Sequence, residues 1–124
     1  MIKIATEKAP KAIGPYSQAI KVDNFIFTSG QIPLDAVSGE VISGDIVAQA
    51  EVVFKNLYEV LNAGGSSLDN IVKTTCFLAD MGDFAKFNEV YAKYIKNAPA
   101  RSCVAVKTLP KNVLCEVEAI AIVK

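Results

Sequence analysis

The sequence has no histidine, and this absence removes much of catalysis at once. A Ser-His-Asp triad, a Cys-His pair and the usual zinc sites are all excluded. Cysteine is scarce: Cys76, Cys103 and Cys115 lie far apart without a CxxC spacing. An odd count in apolar contexts reads as buried thiols in a reducing, cytoplasmic setting, and is a poor metal ligand set. Charge of one sign is missing too, because 13 basic side chains balance 13 acidic ones. No window of five residues is uniformly charged, so the sequence carries no electrostatic footprint for nucleic acid or for an anionic membrane surface. Long hydrophobic runs are also lacking. Lys3, Glu7 and Lys8 break up "MIKIATEKAP" before a signal segment could form, and no stretch approaches transmembrane length. Chemistry in this chain therefore falls to carboxylates, tyrosines, arginine, backbone groups and water.

What is present suits one domain over residues 1–124, long enough to bury roughly two-thirds of its unfolded surface. Hydrophobic residues make up 52% and charged residues 21%. That balance fits either apolar surface covered by a partner subunit or a well-filled core. "QAIK" (18–21) and "FIFTS" (25–29) read as two strands of a hairpin around "VDN". Residues 30–45, dense in Gly, Pro, Ser and Asp, form a connection. From Asp45 the period changes: Ile46, Ala50, Val53, Leu57 and Leu61 line one face of a helix, with Asp45 as N-cap and "GG" at 64–65 as its stop. "IVKTTCFL" (71–78) is a strand, and a second helix follows from about Asp83 to Ile95, with Phe84, Phe87, Tyr91 and Tyr94 on a core-facing stripe. "SCVAV" (102–106) and "CEVEAIAIV" (115–123) close the chain as strands. This order points to an α/β (α+β) domain with two helices on one face of a mixed sheet. The other face is left bare, and packing against further copies is the economical way to cover it.

Period two places Glu116, Glu118, Ile120 and Ile122 on the bare face and Cys115, Val117, Ala119, Ala121 and Val123 toward the helices. Arg101 and Cys103 share a face of the preceding strand. If these last two strands pair, Arg101 and Glu116 approach each other, as a strand-end salt bridge or as parts of a site. Tyr16 in "GPYSQ", Ser29 and Gly30 in "TSGQ", and Asn88 are further polar or turn residues at element ends. Each has an ordinary structural explanation when taken alone: packing beside a turn, a strand exit, or a helix-surface hydrogen bond.

"APKAIGPYSQAI", "FTSGQIP", "DFAKFNEVY" and "PARSCVAVKTLPKNVLCEVEAIA" occur in this order, and together they resemble the YjgF and RidA (reactive intermediate deaminase) family over nearly the whole chain. The resemblance implies a chorismate-mutase-like subunit with a six-stranded sheet, assembling as a homotrimer with sites between neighbouring subunits. It also implies hydrolysis of 2-imino acids or their enamine tautomers, such as 2-aminoacrylate, 2-iminopropanoate and 2-iminobutanoate, to 2-keto acids and ammonia without a cofactor. By the same resemblance Arg101 holds the substrate carboxylate, Glu116 orients water and moves protons, and Tyr16 shapes the site. Ser29, Gly30 and Asn88 contact the ligand, and the main chain of Cys103 helps hold the water. Cys115 stands where a β-branched aliphatic residue is common in the family, a change that preserves burial. Two other readings compete: a module that senses small carboxylates without turnover, and an RNA-cleaving protein. Neutral charge and the missing histidine weigh against the second.

Overall fold

The computed structural model describes residues 1–123; Lys124, the last residue of the expected domain span, lies outside them. Apolar alternation and helical periodicity produce the elements β1 (Ile2–Ile4), β2 (Ala19–Val22), β3 (Phe25–Thr28), α1 (Ile46–Ala63), β4 (Ile71–Leu78), α2 (Phe84–Tyr94), β5 (Ala100–Ala105) and β6 (Cys115–Ile122). All six strands join one mixed sheet in the order β1-β2-β3-β6-β4-β5. The sixth strand, β1, is too short at three residues to show a period in the sequence.

Helix α1 begins and ends where its signals place it. The Asp45 carboxylate accepts the Ala48 N–H at 3.0 Å, and Gly64 donates back to Leu61 at its end. Ile46, Ala50, Val53, Leu57 and Leu61 are all buried. Phe54, on the same helix, meets the Phe87, Tyr91 and Tyr94 rings of α2 at centroid distances of 5.9, 5.7 and 5.5 Å, which locks the two helices together over one sheet face. No helix among the described residues is long and apolar enough to cross a membrane.

The expected alternation in β6 holds: Cys115, Val117, Ala119 and Ala121 are buried under the helices, while Glu116, Glu118, Ile120 and Ile122 face the other way. The bare face has an apolar end made by Ile20, Val22, Phe25, Phe27, Ile120 and Ile122, in register across β2, β3 and β6. Phe25 and Phe27 remain exposed there.

The last two strands do not pair with each other, contrary to the expected register. Both edges of β6 are occupied, by β3 and β4, whereas β5 lies parallel to β4 at the sheet's edge. The β4-α2-β5 segment is a crossover unit, which requires parallel pairing of its two strands and sends the chain past β4 before it returns as β6. The strand β5 also starts earlier than expected, so Arg101 lies within it rather than before it.

Candidate functional site

Two constellations result from this topology. The first gathers on the edge strand. Arg101 is opposite Thr74 of β4, which is in turn opposite Ala119 of β6, so its side chain emerges on the helix-covered side. Helix α2 presents Phe84, Asn88 and Tyr91 there, at spacings of four and three residues that share one helical face. The Arg101 Nη1 donates to Asn88 Oδ1 at 2.7 Å, and the guanidinium carbon lies over the rings of Tyr91 at 4.6 Å and Phe84 at 5.5 Å. Among the described residues the one ion pair joins Lys93 to Glu51, so no carboxylate neutralises Arg101. A planar cation fixed by one hydrogen bond and two aromatic faces retains donors for an incoming anion, and a carboxylate matches that fork.

Cys103 sits two residues along, on the same side, paired in register with Cys76. Burial pushes its thiol above the ordinary value, and the opposing pull of Arg101 does not cancel that. Cys76, more deeply enclosed, is pushed up to about 12, chiefly by burial. Both therefore stay protonated near neutral pH, which removes the thiolate that nucleophilic catalysis would need.

The second constellation gathers where β3 ends. Phe27 pairs with Ile120 and Gln31 with Val117, so Thr28, Ser29 and Gly30 oppose only Glu118 and Ala119. This one-residue excess is a bulge, a device that re-aims side chains. Thr28 Oγ1 accepts the Ala119 N–H at 2.9 Å in place of a ladder carbonyl. The Ser29 hydroxyl donates to the Ser17 carbonyl at 2.6 Å, leaving its lone pairs available. Gly30 has a specific reason to lack a side chain: a Cβ there would stand 1.8 Å from Glu116 Oε2 and 2.7 Å from its Cδ. The Glu116 carboxylate thus leans across the glycine into a cleft of about 540 Å³ that Tyr16, Ser29, Gln31, Pro110 and Lys111 also line. Tyr16 is half exposed at its rim, its hydroxyl accepting the Ile13 N–H at 3.3 Å. A larger, more apolar hollow of about 750 Å³ lies against β1 and the N-terminal segment; it contains neither Arg101 nor Glu116.

Burial raises the Glu116 carboxyl above its ordinary value, and the Glu118 charge adds to the effect. A carboxyl shifted this way exchanges protons closer to neutrality than a free one, as an acid-base group requires. The same shift bears on stability. Because the folded state disfavours the charged form, the Glu116 contribution to folding is complete below the ordinary value of 4.5 and is lost as pH rises through the raised one. Glu116→Gln, neutral throughout, is expected to melt above the native protein at pH 7 and to lose that advantage at pH 4. Thermal melts at the two pH values check this, and a variant melting lower at both would contradict it.

Tyr16, Ser29, Gly30 and Glu116 are therefore brought together, and so are Asn88, Arg101 and Cys103, but the two groups remain apart. Glu116 is opposite Phe77, which is opposite Val104, so it is two strands and three residues from Arg101. Each of those offsets is about 10 Å, and the two side chains leave opposite faces of the sheet. The expected approach of Arg101 to Glu116 within one chain is thus corrected. Sequence reasoning also missed what builds each half. Phe84 and Tyr91 read as core residues, yet they carry the arginine. Gln18, buried, donates from Nε2 to the carbonyls of Thr6 and Pro10 at 3.1 and 2.7 Å and so ties the segment before Tyr16 to the sheet. The glutamine offers no pattern in the sequence; the aromatic pair offers one, since its α2 spacing includes Asn88.

Residues 6–123 match the family model described as Endoribonuclease L-PSP. A RutC family protein of Pyrococcus abyssi is 56% identical over 119 residues, covering 95% of this chain and 94% of that protein. The 2-iminobutanoate/2-iminopropanoate deaminase of Homo sapiens is 50% identical over 120 residues, 96% of this chain and 88% of its own length. Among solved structures, E. coli TdcF with bound serine superposes with a TM-score of 0.94 at 41% identity, covering 100% of both chains.

Proposed function

This chain belongs to the Endoribonuclease L-PSP family, that of the YjgF and RidA proteins, and from that premise we propose that it hydrolyses 2-imino acids and their enamine tautomers. The substrates are compounds such as 2-aminoacrylate, 2-iminopropanoate and 2-iminobutanoate, and the products are a 2-keto acid and ammonia. The observation that carries this reading is the uncompensated Arg101 guanidinium, fixed by Asn88 at an open sheet edge. A 2-imino acid places a carboxylate next to its electrophilic C=N carbon, so gripping the first positions the second.

The reaction adds water to the imine carbon. Glu116 accepts a proton from that water as its oxygen bonds to carbon, and the C=N pair moves onto nitrogen. The carboxyl hands that proton to the nitrogen, giving a neutral carbinolamine. It then takes the remaining hydroxyl proton and delivers it to the nitrogen as C=O forms, the C–N bond breaks and ammonia leaves. A carboxyl raised toward neutrality can serve in both directions. The Ser29 lone pairs and Tyr16 bound the substrate on the Glu116 side, and the outward backbone of β5 at Cys103 offers polar groups to the water.

Both halves are needed at one reaction centre, and one chain holds them apart. We therefore propose a homotrimer in which Asn88, Arg101 and Cys103 of one copy close over Tyr16, Ser29, Gly30 and Glu116 of the next. The apolar end of the bare sheet face and the unpaired edge of β5 support such packing. The test is a coupled assay in which a threonine dehydratase generates 2-iminobutanoate. Faster release of 2-ketobutyrate than in buffer is expected. No acceleration by the folded protein would overturn the deaminase reading, and bound 2-ketobutyrate without turnover would favour a sensing role.

A further inference from the structure

Arg101 is held by more than Asn88. The ring under its guanidinium belongs to Tyr91, whose hydroxyl meets Thr74 Oγ1 at 2.8 Å within the core. Thr74 has no exposed surface and occupies the β4 position directly in register with Arg101. The three residues thus close a circuit: the ladder joins Arg101 to Thr74, a hydroxyl pair joins Thr74 to Tyr91, and the Tyr91 ring returns to the guanidinium. Phe54 and Phe87 pack on the same ring at centroid distances of 5.7 and 6.2 Å.

A buried hydroxyl pair needs a reason, because replacing both partners by apolar groups of the same shape is close to neutral for stability. Valine and phenylalanine would fill this space. What only the pair supplies is a fixed depth for the ring along the direction in which Arg101 reaches. We propose that Thr74 and Tyr91 are positioning residues that set the height and tilt of the Arg101 guanidinium, and hence the affinity for the substrate carboxylate. The inference rests on the reading of Arg101 as the carboxylate seat. With Nη1 committed to Asn88, the remaining donors meet a two-oxygen acceptor together only if the plane is held, and the ring face holds it.

The test uses the full chain and 2-ketobutyrate as the probe, with binding by calorimetry, melting temperature, and KM and kcat from the coupled assay. Tyr91→Leu, which removes the aromatic face, is expected to weaken 2-ketobutyrate binding about tenfold and to raise KM with little change in kcat, as loss of uniform binding does. Thr74→Val and Tyr91→Phe each strand one buried hydroxyl and melt below the native protein. Their double variant is expected to recover the melting temperature while binding 2-ketobutyrate about threefold more weakly, a separation that a purely structural pair would not show. Native affinity in Tyr91→Leu, or in the double variant, overturns the proposal; should Tyr91→Leu fail to fold, the double variant alone decides. Arg101→Ala is the control. If it binds 2-ketobutyrate as the native protein does, the carboxylate seat itself is wrong and the positioning role falls with it. If it loses binding while the Tyr91 variants keep theirs, only the positioning role falls.

Discussion

Arg101→Lys is expected to lower kcat/KM for 2-iminobutanoate by about 100- to 1,000-fold while leaving the protein folded. The ammonium keeps the charge, so long-range attraction for the carboxylate survives. It loses the fork, which makes two parallel charge-assisted hydrogen bonds where a point charge makes one. It also loses the planar face that lies 4.6 Å from the Tyr91 ring. One charge-assisted hydrogen bond together with the stacking is worth about 3–4 kcal/mol, which is the stated range in rate. Arg101 is on an edge strand and is only partly buried, so its replacement opens no core cavity. Steady-state kinetics beside a thermal melt check the prediction. A lysine variant within tenfold of native would show that charge alone suffices and that the fork has no role.

Gly30→Ala should be nearly as damaging, by a different route. The added methyl would sit 1.8 Å from Glu116 Oε2, which is the far end of a flexible side chain. The carboxylate can swing aside at little cost to the fold, but it then leaves the place where the water must be held. Misplacement by about 1 Å is enough to cost on the order of 100-fold in kcat. Affinity for 2-ketobutyrate should change little, because the Arg101 that seats its carboxylate comes from the neighbouring copy and is held there by Asn88 and Tyr91, whereas the added methyl meets only Glu116. The expected signature is therefore a kcat defect with near-native product binding and a near-native melting temperature. Unchanged kcat would mean that Glu116 does not act from its position above Gly30.

Much of this fold could be read from the residues. The α1 limits followed from the Asp45 cap, the stop at Gly64 and steps of three and four between buried side chains. The face of Glu116 followed from period two in β6. Strand pairing was different in kind, because alternation says which face a residue takes but not which neighbour a strand has. The order β6-β4-β5 is decided by the parallel crossover through α2, a long-range packing outcome. That is why Arg101 and Glu116 lie two strands apart; that they also leave opposite faces follows from alternation along β4, where Thr74 is in register with Arg101 and Phe77 with Glu116. The residues of the candidate site were legible through the motifs that contain them, but their division into two groups was not. The bulge at Ser29-Gly30 was likewise hidden, since it depends on counting residues between two pairings, Phe27 with Ile120 and Gln31 with Val117. Tyr91 illustrates a further limit: an aromatic residue on an apolar stripe reads as core, and here the same ring is both core and the bed of the arginine.

The proposed site takes Arg101 from one copy and Glu116 from its neighbour, and mixing of subunits distinguishes it from a site within one chain. Arg101→Ala and Glu116→Gln proteins, each inactive alone, would be unfolded together in equal amounts, refolded and assayed with 2-iminobutanoate. Random assembly pairs an intact Arg101 with an intact Glu116 of the neighbouring copy at about a quarter of the sites, so activity should return to about a quarter of native. If both residues served a site within one chain, every site in the mixture would lack one of them. Activity no higher than that of the separate variants, in a mixture shown to have assembled, would contradict the account.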